Sequence, residues 1–137
     1  LLESFVDSLG EFGRGMFFAG PVHMSNIDVD KLENDYKTTF GEYPQTADYG
    51  FAFDAANLIV DAIESVAAQD GEGGLQIGRQ RLRDELYSIS DYPGITGMLS
   101  CDSFGDCGVV RYNIVQLSDP TAGLEGVLSN VVHEYVP

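Results

Sequence analysis

Basic residues are scarce in this chain. Lysine and arginine together number 7 against 22 aspartates and glutamates, which leaves a formal net charge of −15. A surface of that sign repels phosphate backbones and anionic lipid heads, so nucleic acid is a poor partner and so is a lipid surface. The acid excess itself keeps a protein soluble. Lysine is confined to Lys31 and Lys37, which also fits adaptation to high salt. No apolar run reaches membrane-spanning length, and no signal peptide opens the chain. It starts on Leu1-Leu2-Glu3-Ser4-Phe5 in what reads as mid-element, so a fragment or processed product is expected. A phosphate loop is missing too: Gly71-Glu72-Gly73-Gly74 lacks the Lys and Ser/Thr that a P-loop requires. Low-complexity tracts and internal repeats are absent.

Cysteine is limited to Cys101 and Cys107, and histidine to His23 and His133. A metal site would need more Cys or His close to the pair, and both histidines lie far off in sequence. The spacing is not the C-x-x-C of a redox pair. A disulfide across the feet of a hairpin fits it best and implies an oxidising compartment. Two unpaired buried thiols, acting as small hydrophobes, are the alternative.

What is present suffices for one α/β domain. The 137 residues are 44 % hydrophobic, enough for a packed core. Apolar residues at 1, 2, 5, 6 and 9 make a helical stripe. Met16-Phe17-Phe18-Ala19 is a short buried-strand run that exits at Gly20-Pro21. Asn26 to Asp30 offers several N-caps, and Asp30 with Glu33 has capping-box spacing. Val29, Leu32, Tyr36 and Phe40 form one face of the helix that follows, and Gly41 ends it. Thr46 can cap the longest helix, whose apolar residues from Tyr49 to Ala67 recur at three and four. A shorter helix spans Arg79 to Tyr87. Next come Gly94 to Ser100 as a strand, a tight turn flanked by Cys101 and Cys107, and a return strand from Val109 to Leu117. In that turn Asp side chains bond their own backbone and Gly tolerates positive φ. Val127 to Val136 is a hydrophobic tail that adds a last strand.

The acidic residues offer few chemical sites. Asp102 and Asp106 could bind Ca²⁺, but with Ser103 they supply fewer oxygens than a calcium loop gathers, so turn formation is the better reading. Asp54 with Asp61, and Asp84 with Glu85, pair by abundance alone; no His or nucleophile stands beside them in a recognisable arrangement. Arg79, Arg81 and Arg83 are followed at once by Asp84 and Glu85, which reads as a solvated helical face. No catalytic constellation is found, so an enzyme is disfavoured.

Four motifs, in order, resemble one family. Gly97, Leu99, Asp102, Gly105 and Asp106 fall on the pattern G-x-hydrophobic-x-aromatic-D-x-x-G-D, with Cys101 in place of the aromatic and Cys107 added. Gly15-Met16-Phe17-Phe18, Phe40-Gly41-Glu42-Tyr43-Pro44 and Phe53-Asp54-Ala55-Ala56 match its G-hydrophobic-hydrophobic, Y/F-G-x-x-P and Y-D-A-hydrophobic elements. Over roughly residues 1 to 118 the chain is similar to the C-terminal portion of type I periplasmic binding proteins, the branched-chain amino-acid receptors of ABC importers.

That resemblance implies a two-lobed fold with helices packed on a mainly parallel sheet, a C-terminal β-hairpin, and a ligand in the cleft between lobes. Residues 1–26 would end one lobe and cross over, 27–118 would supply the C-terminal segment of the other, and 119–137 would return. The implied function is solute binding for a membrane permease, in the periplasm or outside the cell, with no cofactor and no catalysis. The ligand would be a branched-chain amino acid or a related small polar molecule. A ligand-sensing receptor ectodomain on the same fold is the alternative. Most ligand-gripping residues of the family would lie upstream of Leu1. Of those present, Asp48 and Tyr49, at the start of the long helix, would approach the ligand. There free N–H groups and the dipole attract negative charge; the competing roles are a dipole contact for Asp48 and core packing for Tyr49. Phe51 is weighed in the same way, and His23 would line the cleft from the crossover. Edges that normally pair with absent chain would favour a homodimer of the fragment.

Overall fold

The computed structural model describes residues 1, 3–22, 26–46, 48–108 and 111–135, with the side chain of residue 27 left aside. In chain order the elements are α1 (Glu3–Leu9), a 3₁₀ turn (Gly10–Gly13), β1 (Phe17–Pro21), α2 (Ile27–Phe40), α3 (Tyr49–Val66), β2 (Ala68–Gln69), β3 (Leu75–Gln76) and α4 (Arg79–Tyr87). They continue with β4 (Tyr92–Gly94), β5 (Gly97–Leu99), β6 (Tyr112–Gln116), a second 3₁₀ turn (Pro120–Ala122), α5 (Gly123–Ser129) and β7 (Val131–Tyr135). The chain divides into two compact units, one from 1–48 and 110–137, the other from 49–109.

In the first unit β6 is the central strand, paired antiparallel with β1 on one side and β7 on the other. The pleat sends alternate residues to opposite faces. One face of the sheet carries Phe18 and Val115; with Leu117 they meet Val6 and Leu9 of α1 and Leu124 and Val127 of α5. Val6, Val115, Leu117 and Val127 are buried. Each such side chain contributes about 1.5–3 kcal/mol of burial energy. Gly13 is required here by space, since a Cβ on it would lie 2.7 Å from Leu117 Cδ2 and 2.8 Å from Leu9 Cβ. Arg14 holds Glu11 through two 3.0 Å bonds and donates from Nη1 to the Ser118 carbonyl at 2.7 Å. That links the exit of α1 to the exit of β6.

α2 begins at Asn26, whose Oδ1 accepts from the N–H groups of Asp28 and Val29, both at 3.0 Å. The Asp30/Glu33 capping box is therefore not used. A short amide side chain immediately ahead of the first free N–H groups satisfies them from outside the helix. Gly41, at φ 84°, closes α2 by donating to the Lys37 carbonyl.

The second unit packs α3 on α4 and on the β4–β5 hairpin. Asp54, Leu58, Ala62 and Val66 recur every fourth residue and form the buried stripe of α3. All strand pairing among the described residues is antiparallel. The mainly parallel sheet is thus not built by these elements: β1, β6 and β7 alternate in direction, although the connections between them are long enough for parallel crossovers. α2 and α3 follow one another here with no strand between them.

The expected hairpin is also rearranged. Residues 94–100 do not form one strand; the chain reverses at Ile95-Thr96 so that β5 returns on β4. The loop between the cysteines closes on itself through a Cys101–Cys107 bridge, and β6 pairs with β1 and β7 instead. The central position gives β6 hydrogen bonds on both edges, where a hairpin would give it one. In the tail, Val127–Ser129 complete a helix and the strand among the described residues runs over 131–135, with Val136 outside them.

Candidate functional site

The N-terminal half of α3 organises the second unit. Asp54 is 3 % exposed, yet both of its carboxylate oxygens are engaged. Oδ1 accepts from Ile95 N at 2.8 Å; Oδ2 accepts from Thr96 N at 2.8 Å and from Thr96 Oγ1 at 2.5 Å. These are donors of the β4–β5 turn, so the carboxylate acts as an external cap on it. A charge is tolerated in that position only because it is fully hydrogen-bonded. Seven residues on, and on the same face, Asp61 accepts from the Tyr92 hydroxyl at 2.8 Å. That bond, with lesser contributions from burial and the nearby carboxylates, raises the Tyr92 pKa above its ordinary value. Asp54 and Asp61 are therefore two rungs between α3 and the hairpin and not an acid–base pair. Asp84 and Glu85 have similar duties: Gln80 donates to Asp84 and Ser65 to Glu85, each at 2.7 Å.

Above this clamp lies an apolar groove of about 320 Å³, walled by Phe51, Leu58, Ile59, Leu86, Tyr87 and Leu99. Its polar neighbours Asp54 and Thr96 already bond each other, so the groove offers mainly apolar contact, with the Tyr87 ring in its wall. Cys107 borders it, joined to Cys101 in a disulfide with Cα atoms 3.9 Å apart. Inside the disulfide loop Asp102 Oδ1 accepts from Phe104 N at 2.8 Å and Asp106 N at 3.0 Å. The aspartate there shapes the turn, in the manner of an Asx-turn. No group of three or more His, Cys, Asp or Glu suited to a metal ion occurs among the described residues.

Of the residues singled out for a ligand, Phe51 lies on the groove, 40 % exposed. Tyr49 is half-buried at the first position of α3, and Asp48 is exposed one residue before it. His23 lies outside the described residues. Asp54 is what a motif-based search misjudges. The signal was available: a carboxylate in line with Leu58, Ala62 and Val66 has to be bonded by something. Arg79, Arg81 and Arg83 are exposed on α4, as a solvated face requires, with the Arg83 guanidinium 5.0 Å from the Tyr87 ring centroid.

Two solved structures share this arrangement of elements. One is a leucine binding protein, LivK, from Thermotoga maritima MSB8: 86 % of this chain overlays on 32 % of that one, with a TM-score of 0.58 and 21 % identity. The other, from Rhodospirillum rubrum, is assigned as a branched-chain amino acid ABC transporter: 88 % of this chain overlays on 33 % of it, with a TM-score of 0.53 and 21 % identity. This chain has part of the type I periplasmic-binding-protein fold. It spans about a third of the length of each of these proteins. No family model and no curated protein matches the sequence. No helix among the described residues is long and apolar enough to cross a membrane.

Proposed function

We propose that this chain is part of an extracytoplasmic solute-binding protein that delivers a branched-chain amino acid, or a related small polar molecule, to the permease of an ABC importer. The observation that carries the reading is the overlay of 86 % of the chain on a leucine binding protein. The Cys101–Cys107 disulfide supports a location outside the cytoplasm, where such bonds persist. In this reading residues 1–26 close one lobe and enter the crossover, 27–118 supply the C-terminal segment of the other lobe, and 119–137 return. Ligand is held in the cleft by closure of two lobes. Asp48, Tyr49 and Phe51, around the start of α3, and His23 contribute contacts to it, while the groups that hold its ammonium and carboxylate come from chain outside these 137 residues. In the isolated piece, the free edges of β1 and β7 are where a second copy would pair.

Calorimetry of the polypeptide as its source cell makes it, titrated with leucine, isoleucine and valine, tests the reading. Binding of at least one of them, weakened by Tyr49→Ala, is expected. Heat of binding for none of them and for no small amide would overturn it.

A further inference from the structure

α3 carries more apolar surface than its own unit covers. Successive residues turn about 100° around a helix axis. On that wheel Asp54, Asn57, Asp61 and Glu64 fall within about 80° of the circumference, and the rest of α3 carries no charge. The buried stripe overlaps that sector at Asp54 and runs on through Leu58, Ala62 and Val66 into the uncharged arc. The opposite flank, with Ala52, Phe53, Ala56, Ile59 and Val60, stays open: Phe53 is 39 %, Ile59 47 % and Val60 50 % exposed. A helix that only borders solvent carries an apolar stripe of about 100°, whereas one apolar nearly all round is built for burial on both sides.

We propose that this flank is an interior surface, covered by a polypeptide segment that makes up the portion of the type I lobe lying outside these 137 residues. The inference rests on the reading of the fold given above. Both fold neighbours have about two thirds of their length beyond the part this chain overlays, which is ample chain for the purpose. A second copy is the poorer occupant, because it would bring another −15 of charge to the same assembly. The flank itself is uncharged, so its occupant is an apolar sheet or helix face and not a basic partner.

Radical footprinting with mass spectrometry reads the cover directly. The isolated 137-residue chain is compared with the polypeptide or complex purified under native conditions from the cell that makes it. Phe53, Ile59 and Val60 are expected to be modified at least tenfold less in the native sample, with Leu75 and Phe104 unchanged as exposed references. Peptide sequencing of the native sample is expected to return lobe sequence, either continuous with Leu1 or from a companion chain. Val60→Glu is expected to leave the circular dichroism of the isolated chain unchanged and to remove the protection of Phe53 in the native sample. Equal modification in both samples overturns the inference. So does protection in the isolated chain that grows with its concentration, which would assign the flank to a second copy. Loss of amino-acid binding with the protection intact would refute the proposed function and leave this inference standing.

Discussion

Replacing Asp54 with alanine removes one side chain and strands three donors. Ile95 N, Thr96 N and Thr96 Oγ1 all bond its carboxylate, at 2.8, 2.8 and 2.5 Å. A donor left unsatisfied in a buried site costs about 1–3 kcal/mol. Thr96 is 7 % exposed and can recover little from water, whereas half-buried Ile95 can rehydrate. Two full penalties and part of a third come to about 3–7 kcal/mol, a large share of the roughly 5–15 kcal/mol that stabilises an ordinary domain. The chain has no tryptophan, so urea unfolding is followed by far-ultraviolet circular dichroism, with amide exchange at Ile95 and Thr96 as the local readout. Asp61→Asn is the internal control, since it alters one bond from the Tyr92 hydroxyl and should cost under about 1 kcal/mol. Gly94 sharpens the test: a Cβ there would stand 2.5 Å from Asp54 Oδ2. Gly94→Ala is therefore expected to destabilise the parent chain, and to do so less when Asp54 is already alanine, the remainder coming from Leu99 Cδ1 at 2.9 Å; the difference is the coupling in the double-mutant cycle. Asp54→Ala within 1 kcal/mol of the parent, with unchanged exchange at Ile95 and Thr96, would refute the view of Asp54 as the cap of this turn.

Reduction of Cys101–Cys107 is expected to add two hydrogens to the intact mass and two alkylatable thiols, and to cost about 2 kcal/mol because the closed loop is short; two free thiols before reduction would count against the bond. Contacts around the 3₁₀ turns should weaken in acid. The Arg14 hydrogen bond holds Glu11, and the Thr121 side chain and backbone hold Asp119, below their ordinary pKa values. Their contribution is present above the unfolded pKa and is lost as pH falls through the folded one, so Glu11→Gln should flatten the acid limb of a stability-versus-pH curve. Tyr92 has the opposite sign, its raised pKa giving stability that is present below pH 10 and lost above it; Tyr92→Phe should remove that alkaline dependence. The isolated chain is expected to show no tight binding of leucine, isoleucine or valine by calorimetry, and sub-micromolar affinity would show that the ligand site lies within these residues.

Local signals read well from the sequence where one residue decides the outcome. Gly41 ends α2, the helix from Arg79 to Tyr87 has the expected limits, and Asp102 with Gly105 shapes the loop between the cysteines. Pairing read less well, because a strand's partner depends on distant chain. Tyr112–Gln116 has the alternation of a return strand, and nothing in it distinguishes a hairpin partner at 97–99 from β1 almost a hundred residues away. Asn26 outcompeted Asp30 as a cap for a reason of position: its side chain precedes the free N–H groups, while Asp30 already donates its own N–H to the Asn26 carbonyl inside the helix. Asp54 was visible as part of a motif, but its duty lay in three donors of Ile95 and Thr96, some forty residues on, at a turn the sequence had not placed.

The carboxylates explain why the open flank of α3 stands out. Many of the acidic residues cap backbone: Asp54 caps the β4–β5 turn, Asp70 takes the N–H groups of Glu72 and Gly74, Asp102 those of Phe104 and Asp106, and Asp119 that of Thr121. Each of these oxygens points back into the chain, where it satisfies donors that loops cannot satisfy themselves. Others stay on solvated faces and supply the −15 that keeps such a surface in solution. Against that background a surface free of charge is informative in proportion to its size. On α3 the charged positions crowd to one side, and Phe53, Ile59 and Val60 share an arc that an acidic, water-facing helix would have broken with at least one glutamate. Val60→Glu in the isolated chain should then be tolerated, since the side chain already meets water, and in the native sample it should expose the flank. Tolerance in both would mean that the arc is simply undecorated surface.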